Sequence, residues 1–208
     1  MNTNTTIYLT RHGQDEDNAN GLLNGHRDLP LTQVGIQQAR DLAKNIKSLN
    51  LKFDEIFSSP LLRTKQTAEI VINELDYANY QVWDLLIERD FGVMSGKPIT
   101  SIEEKCSPHI LKSQGFYYIL EAEKAELWPD VIKRAQQIID TINNKYSDKL
   151  VLLVTHGDIG KMIYTSYFKL DYLQVLQNFV FGNSEIIKLA DDTTPNNCKI
   201  YSIEQFNL

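Results

Sequence analysis

The chain has 208 residues, of which 42% are hydrophobic and 23% charged, and its formal net charge is −6. This length and composition suit one globular domain over residues 1–208, and the acidic balance shows no basic stripe of the kind that nucleic-acid-binding proteins carry. No apolar stretch reaches the roughly 18 residues that a membrane-spanning helix needs, so we expect neither nucleic acid nor membrane as a partner.

The N-terminal segment and the cysteines bear on location. Residues 1–8 lack the basic start and the apolar run of a signal peptide. Cys106 and Cys198 are far apart in the sequence and form neither a disulfide framework nor a Cys-x-x-Cys metal motif. A reducing compartment is the simplest interpretation, and we predict a cytoplasmic protein.

The first elements are a strand, a long loop and a helix. Residues 6–10 are apolar and β-rich, which predicts a strand that ends in a turn at Gly13. Residues 14–30 are polar and rich in turn formers, which predicts a long loop of the kind that often carries function. Thr32 is placed to cap a helix whose apolar residues recur at helical spacing as far as Leu49.

Two further strands flank a second helix. Residues 53–57 predict a strand. Ser59 at the N-cap and Pro60 at the first helical position predict a helix from there to about Leu75. Residues 80–87 predict a third strand.

The second half of the chain continues this alternation. Residues 96–127 are irregular and predict a small helical cap. Beyond the cap the pattern predicts a helix over 129–143, a strand over 150–154, a helix over 158–168, and strands over 185–189 and 199–203 around a polar hairpin loop. Strands that alternate with helices, several of them continuously apolar, indicate a three-layer α/β/α sandwich with a mostly parallel central sheet and the cap as an insertion.

Charged and potentially reactive side chains lie where the predicted strands end. In such sheets, ligands bind at the carboxyl ends of the strands. The residues found there are Arg11 and His12 after the first strand, Arg63 after the second, Glu88 after the third, and His156 with Gly157 after the fourth. We therefore expect these side chains to meet in one crevice.

This set of side chains suits phosphoryl transfer. Guanidinium groups grip phosphate oxygens bidentately, and Arg63 falls in a first helical turn, where backbone N–H groups also favour an anion. A neutral imidazole is a competent nucleophile at pH 7. A carboxyl group with a raised pKa can give the leaving oxygen its proton. The sequence therefore predicts a site for a phosphate ester.

Ordered motifs carry a family resemblance. They are TRHGQ at 10–14 followed by Asn18, GHRDLPLT at 25–32 with Gly35, SSPLLRTKQTA at 58–68, ERDFG at 88–92, and VTHG at 154–157. Through these motifs, which extend over residues 6 to about 190, the chain resembles the histidine phosphatase superfamily. That superfamily includes the cofactor-dependent phosphoglycerate mutases and the bisphosphatase domain of the bifunctional fructose-2,6-bisphosphate enzyme.

The resemblance implies a role for each matching position. His12 would be the nucleophile that becomes a phosphohistidine, and Glu88 would be the proton donor and then the base that activates water. The groups that hold the phosphoryl group would be Arg11, Arg63 and His156. The substrate-binding residues would be Asn18, Gly25, Arg89, Gly157 and Gln14. The last of these stands where many members carry a glutamate, although its amide oxygen can still accept a hydrogen bond.

Several assignments stay open at this stage. Asp90 competes with Glu88 as the acid, and Arg89 can either touch substrate or pair with a nearby acid. The cap aromatics can either line a pocket or pack the cap; they are Phe116, Tyr117 and Tyr118. Carboxylates next to the first histidine raise the question of a metal site; they are Asp15, Glu16 and Asp17. Without a cysteine or His-x-x-x-His cluster, and with arginines that repel a cation, we expect no metal and no cofactor.

The segment after the Glu-Arg motif bears on the reaction. The phosphoglycerate mutases carry a long insertion there, with an adjacent arginine pair that grips the substrate carboxylate, whereas no arginine lies between Arg89 and Arg134 here. We therefore predict a metal-independent phosphatase that acts on a small phosphorylated metabolite. The alternatives are a 2,3-bisphosphoglycerate-dependent phosphoglycerate mutase and a non-catalytic phosphate-binding protein on the same fold. A homodimer is left open.

Overall fold

The computed structural model describes residues 5–113 and 115–203. The strands are β1 (Thr6–Arg11), β2 (Glu55–Ser58), β3 (Gln81–Val82), β4 (Ile110–Ser113), β5 (Phe116–Ile119), β6 (Leu150–Thr155), β7 (Ile186–Leu189) and β8 (Lys199–Tyr201). The α-helices are α1 (Glu16–Ala19), α2 (Gln33–Ser48), α3 (Leu62–Leu75), α4 (Ile102–Cys106), α5 (Trp128–Lys145), α6 (Gly157–Phe168) and α7 (Tyr172–Asn178). None of the helices in these described ranges has both the length and the apolar character needed to cross a bilayer.

The central sheet is mostly parallel. Its strand order over the described residues is β3-β2-β6-β1-β7-β8, while β4 and β5 form a separate hairpin. β1, β2, β3 and β6 run parallel, β7 is antiparallel to β1, and β8 is antiparallel to β7. The predicted sandwich with a mostly parallel sheet is confirmed. Because parallel strands end at the same edge, the segments that follow β1, β2 and β6 begin side by side.

Helices cover both faces of the sheet because the central strands are apolar on both. Ile7 and Leu9 of β1 join a cluster with α5 and α6, whereas Tyr8 between them joins a cluster with α2 and α3. β6 alternates in the same way, since successive side chains of a strand point to opposite faces. Each fully buried aliphatic side chain of this kind contributes about 1.5–3 kcal/mol. The strands that end at the crevice are thus anchored from both sides.

The third strand is much shorter than the predicted 80–87. Pairing with β2 is confined to β3, and a 3-10 turn follows over Asp84–Leu86. Carbonyl oxygens in this stretch accept hydrogen bonds from the guanidinium of Arg134 and the hydroxyl of Thr155 instead of from a neighbouring strand. The chain therefore leaves the sheet early, and Glu88 reaches the sheet edge from a turn.

The start of α3 also differs from the prediction, which placed the N-cap at Ser59. The helix begins at Leu62 with Leu61 as its N-cap, and the carboxylate of Asp28 accepts the N–H of Leu62. The hydroxyl of Ser59 is instead 2.7 Å from Nε2 of His156. A side chain from the long loop supplies the cap because the local candidate is bonded to the second histidine.

The cap contains a hairpin, where the sequence predicted helices. α4 and neighbouring 3-10 turns form its helical part, while β4 and β5 pair across Gly115, whose φ is +90°. Aromatic and β-branched residues on both sides of a glycine turn favour a hairpin. The cap also has an apolar cluster of its own, formed by Phe91, Met94, Ile102, Cys106 and Ile119.

The long loop after β1 lies directly against the start of α2. Thr32 caps this helix as predicted, since its hydroxyl accepts the N–H of Gly35 at 3.1 Å. At Gly35 the helix backbone touches the loop so closely that an added Cβ would overlap the carbonyl oxygen of Gln14. The loop contains α1, which the sequence did not predict.

We predict that Gly35→Ala destabilises the protein by about 2–3 kcal/mol, because overlap with a backbone oxygen cannot be relieved by a rotamer change. Removing a glycine from a helix is ordinarily worth about 0.5–1 kcal/mol of added stability, so the steric effect decides the sign. Urea unfolding monitored by circular dichroism measures the change. Val34→Ala, one residue earlier and 39% exposed, is the control and should stay within about 0.5 kcal/mol. A Gly35→Ala protein as stable as the parent would contradict the close contact.

Candidate active site

The histidines of the RHG and THG sequences meet at the sheet edge. β1 and β6 are paired with Arg11 opposite Thr155, so His12 and His156 each follow the last residue of adjacent parallel strands. Their ring centroids are 5.2 Å apart, and both side chains are buried. The convergence expected from the strand ends is therefore present for this pair.

Arg63 contacts both imidazoles. Its Nε is 3.2 Å from Nε2 of His12 and 3.1 Å from Nδ1 of His156. The side chain comes from the first turn of α3 and is fully buried. Its terminal nitrogens donate to the carbonyl oxygens of Arg27 at 2.7 Å and Gly25 at 2.8 Å. The guanidinium thus ties the long loop to the sheet edge, and Gly25 takes part through its backbone oxygen.

The hydrogen bonds of the rings identify their tautomers. Nδ1 of His12 lies 2.6 Å from the carbonyl oxygen of Gly13, which can only accept, so Nδ1 carries the proton. Nε2 of a neutral His12 then presents its lone pair. Nδ1 of His156 accepts from Arg63, which can only donate, so the proton of His156 is on Nε2 and points to Ser59.

Both imidazoles are held in the neutral form. Burial, and then the guanidinium charges of Arg63 and Arg11, lower the pKa of His12 well below its ordinary value. Burial, followed by Arg63, lowers the pKa of His156 in the same way. A histidine that stays neutral retains its nucleophilic lone pair across the physiological pH range.

Asp15 is a buried carboxylate beside this group, in a position that sequence reasoning weighed only as a metal ligand. Its Oδ2 is 3.2 Å from Nε of Arg63, and it accepts hydrogen bonds from the backbone of Asn18 and the side chain of Asn24. Burial raises the pKa of Asp15, and the Arg63 charge opposes that rise. Among residues 5–113 and 115–203 no cluster of three or more His, Cys, Asp or Glu side chains is arranged to hold a metal ion.

Arg11 and Glu88 face another part of the crevice, next to Gly157. A Cβ at Gly157 would lie 3.7 Å from both the Arg11 guanidinium and the Glu88 carboxylate. The Glu88 carboxylate accepts backbone N–H groups at the start of α6, from Asp158 and Ile159 at 3.1–3.3 Å. Nε of Arg11 is buried and has no hydrogen-bond partner in the part of the chain that the structure describes. An unpaired buried cationic donor fits an anionic ligand.

Of the remaining predicted site residues, one lines the crevice and the others do not. Asn18 lines the crevice, and its Oδ1 accepts a hydrogen bond from Asn183 at 3.3 Å. The side-chain oxygen of Gln14 accepts from the hydroxyl of Thr32 at 2.8 Å, so this side chain supports the start of α2. Asp90, the competing acid, is 42% exposed and accepts the N–H of Gly92.

Arg89, which the sequence left open as either a substrate contact or the partner of an acid, lies near the carboxylate of Asp158. Its guanidinium lies 4.2 Å from the ring centroid of Trp128, and one terminal nitrogen is 3.7 Å from the carboxylate of Asp158. Its Nε donates to the carbonyl oxygen of Glu126 at 2.9 Å. The side chain is 1% exposed, and it forms part of the crevice wall.

A cavity of about 400 Å³ extends from these residues toward the cap. Its polar end is formed by Arg11, Asn18, Glu88, Gly157 and Asp158. His12, Arg63 and His156 are absent from the described residues that line it. The two imidazoles and Arg63 are almost completely buried and do not contribute to the cavity wall.

Asp158 is a site residue that sequence reasoning missed. It lines the cavity from the first turn of α6 and is 9% exposed. Burial, and then the charge of Glu88, raise the pKa of Asp158 to about 6, against the opposing charges of Lys161, Arg89 and Arg11. Like Arg63, Asp158 is a charged residue in the first turn of a helix that follows a strand end, so its place in the sequence could have indicated a site residue.

Comparison with known proteins identifies the family of the chain. A family model described as the histidine phosphatase superfamily, branch 1, matches residues 7–202. A 2,3-bisphosphoglycerate-dependent phosphoglycerate mutase of Nitrobacter winogradskyi is 38% identical over 90% of this chain and 93% of its own length. A broad-specificity phosphatase of Saccharomyces cerevisiae is 29% identical over 87% of this chain and 77% of its own length. Among solved structures, a phosphoserine phosphatase of Entamoeba histolytica in complex with 3-phosphoglyceric acid superposes with a TM-score of 0.72 at 25% identity, covering 88% of this chain and 89% of its own.

The raised pKa of Asp158 gives a prediction for stability against pH. The ionised form is disfavoured in the fold, so its destabilising effect is complete above pH 6 and is lost as the pH falls toward the ordinary value of 3.8. We expect the stability gained by Asp158→Asn, relative to the parent, to be about 1.4 kcal/mol larger at pH 8 than at pH 5. Denaturant unfolding at both pH values measures this difference.

Asp140→Asn, an exposed change on α5, is the matched control for this measurement. Its effect should be the same at both pH values. An Asp158→Asn effect that is equally independent of pH would show that the Asp158 carboxyl is not perturbed.

Proposed function

The chain belongs to the histidine phosphatase superfamily, and we propose that it is a phosphatase that hydrolyses a small phosphomonoester through a phosphohistidine on His12. One observation carries this proposal. The imidazole of His12 is oriented by the Gly13 carbonyl so that an unprotonated Nε2 faces Arg63 at 3.2 Å. A neutral nucleophile next to a buried guanidinium is the arrangement that phosphoryl transfer needs.

The proposed reaction has two steps. Nε2 of His12 attacks phosphorus, the phosphorus–oxygen bond to the alcohol breaks, and a protonated Glu88 gives its proton to the leaving oxygen. Water then attacks the phosphohistidine while Glu88 takes the proton of that water, which releases inorganic phosphate and restores His12. The carboxylate that the first step leaves is the base of the second step, so one carboxyl group acts as acid and then as base.

The developing charge on the phosphoryl oxygens would be met by cationic donors. Nε of Arg11 has no partner within the described residues, so it can bind a phosphoryl oxygen without giving up another bond. Nε of Arg63, which now points at the imidazoles, would turn its hydrogen bond to a second oxygen. Such positioned donors supply most of the stabilisation in phosphoryl transfer, because the phosphoryl group itself needs little acid–base help.

A phosphoglycerate mutase is the second candidate. The 38% identity to a curated mutase supports it, and Arg89 and Lys161 are cations that line the cavity. Arg89 is paired with Asp158, however, and Lys161 donates to the hydroxyl of Tyr118 at 2.7 Å. Incubation of 3-phosphoglycerate with catalytic amounts of 2,3-bisphosphoglycerate separates the two, since a mutase forms 2-phosphoglycerate and a phosphatase releases phosphate.

Location and assembly are further proposals. We place the protein in the cytoplasm, on the composition and cysteine arguments from the sequence. The homodimer that the sequence left open is a further proposal. Size-exclusion chromatography with light scattering tests the assembly.

We predict that His12→Ala abolishes the hydrolysis of p-nitrophenyl phosphate, because no other group is placed to accept the phosphoryl group. Quenching the parent with alkaline SDS during turnover of a ³²P-labelled ester should trap an alkali-stable, acid-labile phosphoprotein that the variant does not form. His109→Ala, a cap histidine with a 58% exposed side chain, is the control and should keep the parent rate. Undiminished turnover by His12→Ala would reject the mechanism, and no turnover by the parent would favour a phosphate-binding protein.

We predict that Glu88→Gln slows alkyl phosphates much more than aryl phosphates. Alkoxides are poor leaving groups and depend on the proton, and general acid assistance is typically worth about 10²- to 10⁴-fold. The measurement is kcat/KM for a pair of substrates such as butyl phosphate and p-nitrophenyl phosphate. Glu121→Gln, with its side chain 63% exposed, should leave both values unchanged. An equal loss on both substrates would argue against Glu88 as the acid.

A further inference from the structure

The cavity is polar at one end and apolar over the rest of its wall. The apolar wall is built by the long loop after β1, the cap, α7 and the segment that follows α7. Its members include Leu22, Ile99, Ile102, Phe116, Leu176 and Val180. This wall begins beside Glu88, where the leaving oxygen would lie. We propose that the cavity takes the alcohol part of the substrate, and that this alcohol is an alkyl or aryl group rather than a sugar.

This inference rests on the proposed phosphatase function, and the volume supports it. A cavity of about 400 Å³ falls within the range of about 300–1,000 Å³ that encloses whole small-molecule ligands. A phosphoryl group at the polar end would occupy a minor part of that space. The remainder is continuous with the reaction site, so the alcohol and the phosphoryl group can be bound together.

Two hydroxyl groups of the wall, those of Ser113 and Tyr118, are already bonded to the protein. The hydroxyl of Ser113 donates to the carbonyl oxygen of Gln177 at 2.6 Å. The hydroxyl of Tyr118 accepts from Lys161, whose ammonium group also lies 4.5 Å from the Tyr118 ring centroid. A sugar would have to break such bonds to satisfy its own hydroxyl groups, and a polar group buried without a partner costs about 1–3 kcal/mol.

Two cations also face the cavity. Arg89 lies 3.7 Å from the carboxylate of Asp158 and over the ring of Trp128, but its Nη2 is buried and has no hydrogen-bond partner within the described residues. Lys161 donates to Tyr118, as described. An alkyl or aryl group would contact the apolar residues of the wall, and these cations can receive an anionic substituent on that group.

Phe116 and Val180 are wall residues that do not pack in the protein core. Both line the cavity, and within the described residues neither belongs to an apolar core cluster. Val180 is 53% exposed. Apolar side chains that are exposed at the rim of a functional cavity mark a contact surface for a ligand. They are therefore the positions where a change alters ligand binding with the least effect on folding.

The test is a series of n-alkyl monophosphates from ethyl to octyl phosphate. Leaving-group basicity changes little along this series, so kcat/KM reports contact with the wall. We expect kcat/KM to rise about three- to fourfold for each added methylene until the cavity is filled. We also expect hexyl phosphate to exceed glucose 6-phosphate by about 30- to 60-fold, which is three such increments.

Variants locate the effect. Phe116→Ser and Val180→Ser should each flatten the rise from ethyl to octyl phosphate, and a melting temperature near that of the parent shows that each has folded. Val34→Ser, on the distant helix α2, should keep the full rise. A flat series in the parent, or faster turnover of glucose 6-phosphate than of hexyl phosphate, would overturn the inference while leaving the phosphatase intact.

A binding measurement separates this inference from the reaction itself. Titration calorimetry compares ethyl- and octylphosphonate, which cannot be hydrolysed, on the parent and on Val180→Ser. Tighter binding of octylphosphonate by at least tenfold supports the apolar cavity, even if no ester is turned over and the proposed phosphatase fails. Equal affinity for the two phosphonates would reject the cavity assignment.

Discussion

The buried guanidinium of Arg63 is the interaction on which the rest of the site depends. A fully buried cation needs acceptors on every nitrogen, and it finds them in the imidazoles, in Asp15 and in the backbone oxygens of the long loop. These acceptors come from segments far apart in sequence. Satisfying one charge therefore brings together the ends of β1 and β6, the first turn of α3, and the loop between β1 and α2.

A site with this many buried charges is unfavourable unless each is compensated. On one side the carboxylate of Asp15 balances Arg63, and on the other the free N–H groups at the start of α6 receive Glu88. Burial, and then the charge of Glu88, raise the pKa of Asp158 although three cations oppose that rise. The fold thus concentrates its electrostatic cost at the crevice and keeps the two sheet faces apolar.

Sequence reasoning worked where the signal is local or periodic. The alternation of strands and helices predicted the sheet, and the strand–His–Gly repeats predicted that His12 and His156 would meet. It failed where distant side chains override local preference. Arg134, from α5, supplies donors that end the third strand early. Asp28, from the long loop, caps α3 in place of Ser59.

The missed carboxylates have the same origin. Nothing local to Asp15 distinguishes a buried acid from a solvated one, because burial depends on which segments pack over it. Asp158 did carry a signal, since it lies in the first turn of a helix that follows a strand end. The apolar character of the cavity could not be predicted from the sequence either, because its wall combines the cap hairpin with a segment about sixty residues later in the chain. Phe116 and Tyr118 could be seen in the sequence, but their partners across the cavity could not.

The separate apolar cluster of the cap has an evolutionary consequence. Phe91, Met94, Ile102, Cys106 and Ile119 pack on one another and not within the clusters that support the sheet. Substitutions within this cluster act on the cavity wall rather than on the clusters that support the sheet. Phe91 is the exception, because it also lies against Gly25, whose carbonyl oxygen accepts a hydrogen bond from Arg63, and near the guanidinium of Arg89. Selectivity can therefore drift, or be redesigned, in the rest of this lobe while Phe91 is retained.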